Sequence, residues 1–168
     1  MREFQPPAVR GGARLAIGLL LVAVMAIPLG LARRMVLIGQ QAGYLVIALG
    51  ALIVAIMELL VLLGPGRMRY RVGDGWLEVA TMFSRHRWPA ARLIARRHAP
   101  QVTLRIAGTA MPGYHTGLFR ADGERTRIYA TQLTEGVLLE GPARIFVNPA
   151  DVPGFLDALR REGTAVQS

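Results

Sequence analysis

From Leu15 to Ala32 the chain carries no charge, and after Arg33 and Arg34 the apolar character resumes to Leu63, broken only by Gln40, Gln41 and Glu58. Such stretches are costly to keep in water. A helix needs about 20 apolar residues to cross the hydrocarbon core of a bilayer. Two segments meet that length, Ala13–Ala32 and Tyr44–Leu63. Pro28 lies inside the first, where a kink is tolerated more readily than in a water-soluble helix. Gly64-Pro65-Gly66 ends the second, since that combination rarely continues a helix. The connection Arg33–Gln41 is short. The expectation is therefore an N-terminal tail over residues 1–12 and an antiparallel membrane α-hairpin over residues 13–66.

A cleaved signal peptide is the competing reading of the first stretch, with Arg10 and Arg14 before it. The stretch is long, however, and it is followed by Arg33-Arg34 and at once by a second apolar stretch. No small-x-small cleavage site precedes a soluble sequence. Retention as an anchor is expected. Two spans place both termini on one side. Arg2, Arg10 and Arg14 flank the first, and Arg67, Arg69 and Arg71 follow the second, against only Arg33 and Arg34 between them. Positive charge is retained on the cytoplasmic side, so both termini and the following domain are expected in the cytoplasm, at a bacterial inner membrane. Glu58 is the one ionisable group within a span. A charge at mid-bilayer costs on the order of 3 kcal/mol on insertion scales. In an antiparallel hairpin Arg14 is its candidate partner, and the pair is read as locking the hairpin rather than as transport machinery. Gly18, Ala23, Ala26, Gly30, Gly43, Gly50, Ala51 and Ala55 allow close helix approach, within the hairpin or between copies.

The formal net charge is +9, and every basic residue is arginine. With much Ala, Gly, Leu and Val, this composition points to a GC-rich, bacterial genome. The charge can serve nucleic acid, anionic lipid or membrane topology. The apolar stretches favour the last two, and the aromatic platform on which single strands stack is missing. No nucleic-acid partner is expected. There is no cysteine, which removes disulfides, thiolate metal sites and thiol nucleophiles.

After Gly66 the pattern changes to strict alternation. Arg67, Arg69 and Arg71 share one face of a strand, and Met68, Tyr70 and Val72 the other. Gly73-Asp74-Gly75 marks a tight turn. Further strands are expected at Trp76–Met82, Phe83–Trp88 and Val102–Ile106, the last with Val102, Leu104 and Ile106 inward. Gly108–Gly117 is expected as a loop. Leu118–Ala121 and Arg125–Thr131 flank the hairpin signal Asp122-Gly123. Val137–Glu140 and Ala143–Val147 flank Gly141-Pro142. A helix then follows, with Asn148 as cap, Pro149 in the first turn and Val152, Phe155, Leu156 and Leu159 on one face. The domain expected over residues 67–162 is thus mainly β: about seven short antiparallel strands in a bent sheet or barrel, capped by a C-terminal helix. A frayed tail over residues 163–168 completes the chain.

The segment Met111-Pro-Gly-Tyr-His-Thr-Gly-Leu-Phe119, the strands Arg127–Thr131 and Gly136–Glu140, and the ending Asn148-Pro-Ala-Asp151 with Phe155-Leu156 resemble a bacterial pleckstrin-homology (PH)-like domain family. The resemblance covers roughly Tyr70–Arg161. It implies a PH-like fold and a binding or interaction module, for which an N-terminal membrane hairpin is a common arrangement. It does not carry phosphoinositide recognition, because the turn Gly73-Asp74-Gly75 is short and acidic where lipid-binding domains place basic residues.

The residues offer little chemistry. Ser84 and His86 share a strand face, but no nucleophile elbow surrounds Ser84. His86, His98 and His115 lack metal-ligand spacing. No phosphate loop or dinucleotide fingerprint appears. No catalytic residue, metal or cofactor is expected. Tyr114 and His115, between glycines, are candidates for a pocket mouth. Arg67, Arg69 and Arg71 are candidate contacts to anionic headgroups, each basic group near a membrane surface adding about 1 kcal/mol. Arg85, Arg87, Arg92, Arg96 and Arg97 extend the basic character. The function expected is a non-enzymatic binding or scaffold module held at the membrane by lipid contacts of the hairpin, for a protein partner or a second copy. The alternatives are an anionic-lipid-sensing surface and an accessory subunit of a membrane enzyme or transporter.

Overall fold

Alternation over Arg69–Gly73 buries Tyr70 and Val72 and leaves Arg69 and Arg71 half-exposed, as the sequence pattern requires. That strand organises one of two units into which the computed structural model divides: residues 1–9 with 64–168, and residues 10–63. The residues described are 1–8, 26, 30, 33, 34, 41–111 and 113–167.

The larger unit holds two sheets. The first is four-stranded and antiparallel, in the order β1 (Arg2–Phe4), β2 (Arg69–Gly73), β3 (Trp76–Ala80), β4 (Arg85–Pro89). The second contains β5 (Ile94–His98), β6 (Val102–Met111), β7 (Tyr114–Ala121), β8 (Glu124–Ala130), β9 (Gly136–Glu140), β10 (Ile145–Val147) and β11 (Ala165–Gln167). Its order is β11-β5-β9-β10-β8-β7-β6. Two Asp-Gly pairs close hairpins. Asp74 and Gly75 have φ of 56° and 76°, and Asp122 and Gly123 have 53° and 81°. Positive φ at both central residues is the turn whose twist matches that of the flanking strands. Helix Val152–Arg161 then buries Val152, Phe155, Leu156 and Leu159. This is the mainly-β domain with a C-terminal helix that the sequence indicates.

Several details differ. The flanking tails carry strands. β1 pairs with β2, matching Arg2 with Val72 and Phe4 with Tyr70. The Phe4 ring meets Phe155 edge-on at 5.3 Å, the Ala150 amide donates to Gln5 O at 2.8 Å, and Thr131 Oγ1 donates to Pro7 O at 3.0 Å. At the other end β11 lies parallel to β5. Both strands are three residues long, too short to announce themselves by alternation. Two pairings, β10 with β8 and β11 with β5, are parallel, so the sheets are not wholly antiparallel.

Asn148 is not the helix cap. Asp151 is, accepting from the Gly154 amide at 2.9 Å. Asn148 is buried instead. Its Oδ1 accepts from the Thr131 amide at 2.9 Å, with the Tyr70 hydroxyl at 3.3 Å. The expected loop at Gly108–Gly117 is a β-hairpin, because β6 runs to Met111 and β7 begins at Tyr114. Gly108 and Gly117 oppose one another with φ of 109° and 129°. A Cβ on either would strike the facing backbone. They mark a close approach of strands, not a loop. Leu104 and Ile106 are exposed, at 57% and 42%, rather than inward. β6 is the sheet's edge and its register shifts twice, between Val102 and Leu104 and between Arg105 and Ala107. Such bulges break the alternation from which inward positions are read.

In the smaller unit, helix α1 covers Gln41–Leu63, 23 residues; Val152–Arg161 is α2. Leu45, Leu49, Leu52, Ile53, Ile56, Leu59 and Leu63 are exposed along α1. The side chains of nearly half of its residues, Glu58 among them, lie outside the described set. The expected first span and Arg14 lie almost wholly or wholly outside it too. Among the described residues no helix is long and apolar enough to cross a membrane, and the two-span hairpin is not seen.

If β1 is integral to the larger unit, Phe4→Ala destabilises it by about 2 kcal/mol, somewhat below the loss for a fully buried phenylalanine. Urea unfolding followed by tryptophan fluorescence tests this. An unchanged midpoint would show that β1 contributes nothing.

Candidate functional site

β4 is the last strand of the first sheet, and no strand pairs with its outer edge among the described residues. His86 lies opposite Val79 in the β3–β4 ladder, on the sheet's inner face. Alternation on β7 and β8 aligns Tyr114, Thr116 and Leu118 with Tyr129 and Arg127 on one face of the second sheet. Between that face and β4 lies a cleft of about 380 Å³. Thr81, Phe83 and Ser84 of the β3–β4 turn form one side of it, and Gly108, Gly117 and Thr109 complete the lining. The volume is in the range of small-molecule sites.

The turn is built by its own hydroxyls. The Ser84 amide donates to Thr81 Oγ1 at 3.1 Å, and the two side-chain oxygens are 2.9 Å apart. This arrangement leaves Phe83 at the rim, 70% exposed. Deeper in, the His86 ring centre is 5.8 Å from that of Tyr129 and 5.7 Å from that of Trp88. Burial holds the His86 imidazole below its ordinary pKa, and the nearby Arg127 guanidinium adds to this. Burial pushes the Tyr129 phenol up, partly offset by the nearby Arg127 guanidinium. The Tyr114 phenol is raised by burial as well, offset in part by Thr116. At neutral pH the cleft thus presents a neutral imidazole, two neutral phenols and one guanidinium. Arg127 makes no ion pair among the described residues.

Ser84, in the turn before β4 rather than on its face, and His86 both line this cleft. Among the described residues the cleft lining contains no carboxylate that would orient the imidazole for base catalysis, and Ser84 Oγ is engaged by Thr81. The other expected pair separates. Tyr114 is buried and lines the cleft, whereas His115 lies opposite Ala130 on the reverse face. His115 Nδ1 is buried without a partner among the described residues, and burial lowers its pKa. Among the described residues no group of three His, Asp or Glu side chains is placed to hold a metal.

The three candidate headgroup arginines differ in their surroundings. Arg67 is exposed. Arg69 reaches Glu3 at 3.1 Å and Gly66 O at 2.7 Å. Arg71 reaches Glu3 at 2.8 Å and Glu78 at 3.5 Å. Glu78 is buried beneath Arg71, Arg85 and Arg87. Burial raises its carboxyl, but the three arginines outweigh this and hold it below the usual range. Much of the basic face is therefore compensated from within. A second, larger cleft beside α2 is lined by Arg96, Arg97 and Arg160. Two of these already have acid partners, Glu140 at 3.4 Å and Asp157 at 2.7 Å. The candidate Arg14–Glu58 pair lies outside the described residues.

Arg127 and Tyr129 are site residues that sequence reasoning missed. The position of Arg127 two residues before Tyr129 signals a shared face, but the packing of that face beside β4 joins segments about forty residues apart.

A profile of the bacterial PH domain family matches residues 68–163, more than half of the chain, and the chain belongs to that family. No curated protein and no solved structure matches it. Domains of this kind are generally non-enzymatic binding modules, and nothing positive indicates catalysis.

His86 and His115 both have lowered pKa values in the folded chain. The unfolded chain therefore binds protons more readily near the ordinary histidine value of about 6.5. Their contribution to stability is complete above that pH and is lost as the pH falls through and below it. Unfolding midpoints at pH 7.5 and pH 5.5 test this. A lower midpoint at pH 5.5, with a flatter profile in H86Q/H115Q, is expected; identical profiles would contradict it.

Proposed function

We propose that this member of the bacterial PH domain family is a membrane-anchored binding module, presented at the cytoplasmic face of the inner membrane by a two-span hairpin. The pairing of β1 with β2 carries this reading. Phe4 lies opposite Tyr70 and the two strands are antiparallel. The chain that continues from Phe4 and the chain that arrives at Arg69 therefore meet the sheet at one end. Residues 1–9 and 64–168 form a single unit, so the intervening segment leaves and re-enters the same body. A segment of this kind crosses a bilayer an even number of times.

The exposed residues of α1 support the anchor. Leu45, Leu49, Leu52, Ile56, Leu59 and Leu63 recur at helical spacing. An apolar stripe of this extent marks an interaction with lipid or protein. The sequence, with Arg33 and Arg34 in the connection against Arg2, Arg10, Arg14, Arg67, Arg69 and Arg71 at the other ends of the two spans, supports the cytoplasmic side. Membrane proximity is then covalent, and the domain is free to bind something other than bulk lipid: a protein partner or a second copy. The internal compensation of Arg69 and Arg71 favours this over an anionic-lipid-sensing surface.

The absence of native cysteine makes the topology directly readable. Single cysteines introduced as Gln40→Cys and as Gln167→Cys, in separate full-length proteins, can be treated in intact cells with a membrane-impermeant maleimide. Labelling at position 40 but not at 167 is expected. Labelling at 167 in intact cells would overturn the orientation, and recovery of the protein in the soluble fraction would overturn the anchor.

A further inference from the structure

We propose that the cleft beside β4 binds a small monocarboxylate carried on an apolar or aromatic stem; this deepens the reading of the domain as a binding module and rests on it. The charge in the cleft sets the anion. Among the described residues Arg127 is the one guanidinium in the lining, and no acidic side chain accompanies it. Arg127 is exposed at the cleft, and a dianionic phosphate would bring a second negative charge that no second guanidinium in the lining meets. A carboxylate matches one guanidinium in both charge and shape, accepting two parallel N–H bonds.

The remaining walls set the stem. Tyr114, Tyr129, Leu118 and Phe83 supply ring and aliphatic surface. Tyr114 and Tyr129 are buried, while Phe83 stands out at the rim. The opposed Gly108 and Gly117 lack side chains where the strands meet, which keeps that wall free of side-chain bulk. His86 is placed near Arg127, as a second polar group for the ligand's head. Such a combination, an apolar lining with a few convergent polar groups, is the usual composition of a small-molecule site. The cleft next to α2 lacks this combination, since two of its three arginines are already paired with acids.

The test uses the full-length protein in lipid nanodiscs and two soluble probes with the same stem, 4-phenylbutyrate and 4-phenylbutanol. Binding is followed through the His86 ring and Trp88 indole resonances. Saturable shifts with 4-phenylbutyrate are expected, with Kd on the order of 0.1–1 mM for a ligand of this size. The alcohol should bind at least tenfold more weakly. R127Q should lose at least tenfold in affinity for the acid at an unchanged unfolding midpoint, and R127K, which keeps the charge but not the fork, should lose less. Equal binding of acid and alcohol at these resonances, or R127Q binding like the parent, would overturn the carboxylate assignment while leaving the cleft as the binding site. No saturable shift with either probe would overturn the cleft itself. The anchoring of the domain is read separately, by the maleimide labelling.

Discussion

The ladder between β1 and β2 joins the first residues of the chain to the strand that follows a long apolar excursion. Three residue pairs make it, from Arg2 with Val72 to Phe4 with Tyr70. Phe4 then packs on Phe155 of α2, and Phe155 lies 6.1 Å from Tyr70. The Tyr70 hydroxyl donates to Tyr129 O at 2.8 Å, deep in the second sheet. One short strand is thus continuous with the contacts that hold both sheets and the helix. Together with the bonds to Gln5 O and Pro7 O, it fixes the segment before the excursion against the segment after it.

The same organisation gives the arginines their roles. On the outer face of the first sheet, Glu3 and the buried Glu78 gather Arg69, Arg71, Arg85 and Arg87. Like-charge repulsion across neighbouring strands would destabilise the sheet, and the two carboxylates relieve it. Arg127 is different. It stands in the cleft beside a neutral imidazole and a phenol, without an acid partner among the described residues. Counting arginines along the chain cannot separate these cases, because the distinction is made by strands distant in sequence.

How much could be read in advance follows from the range of each signal. The alternation of Arg69–Val72, the turns at Asp74-Gly75 and Asp122-Gly123, and the apolar face of α2 are local, and the structure keeps them. The three-residue strands at either end depend on partners far away and have no periodicity to display. Gly108 and Gly117 read as loop residues in isolation, and only their mutual opposition explains them. Asn148 had the chemistry of a cap, but burial against Tyr70 and Thr131 used its side chain elsewhere. The cleft was half legible. Ser84, His86 and Tyr114 stood out by type and spacing, whereas Arg127 and Tyr129 required the packing of the two sheets.

The central claim is that the N-terminal strand belongs to the domain that follows the apolar segment. Cross-strand neighbours have Cβ atoms about 5 Å apart, and Glu3 lies opposite Arg71. The full-length double variant Glu3→Cys with Arg71→Cys, oxidised mildly and resolved by mass spectrometry, tests the claim directly. The account predicts an efficient intramolecular disulfide between these positions and none between Glu3→Cys and Arg97→Cys. Absence of the first crosslink, or equal formation of both, would contradict it.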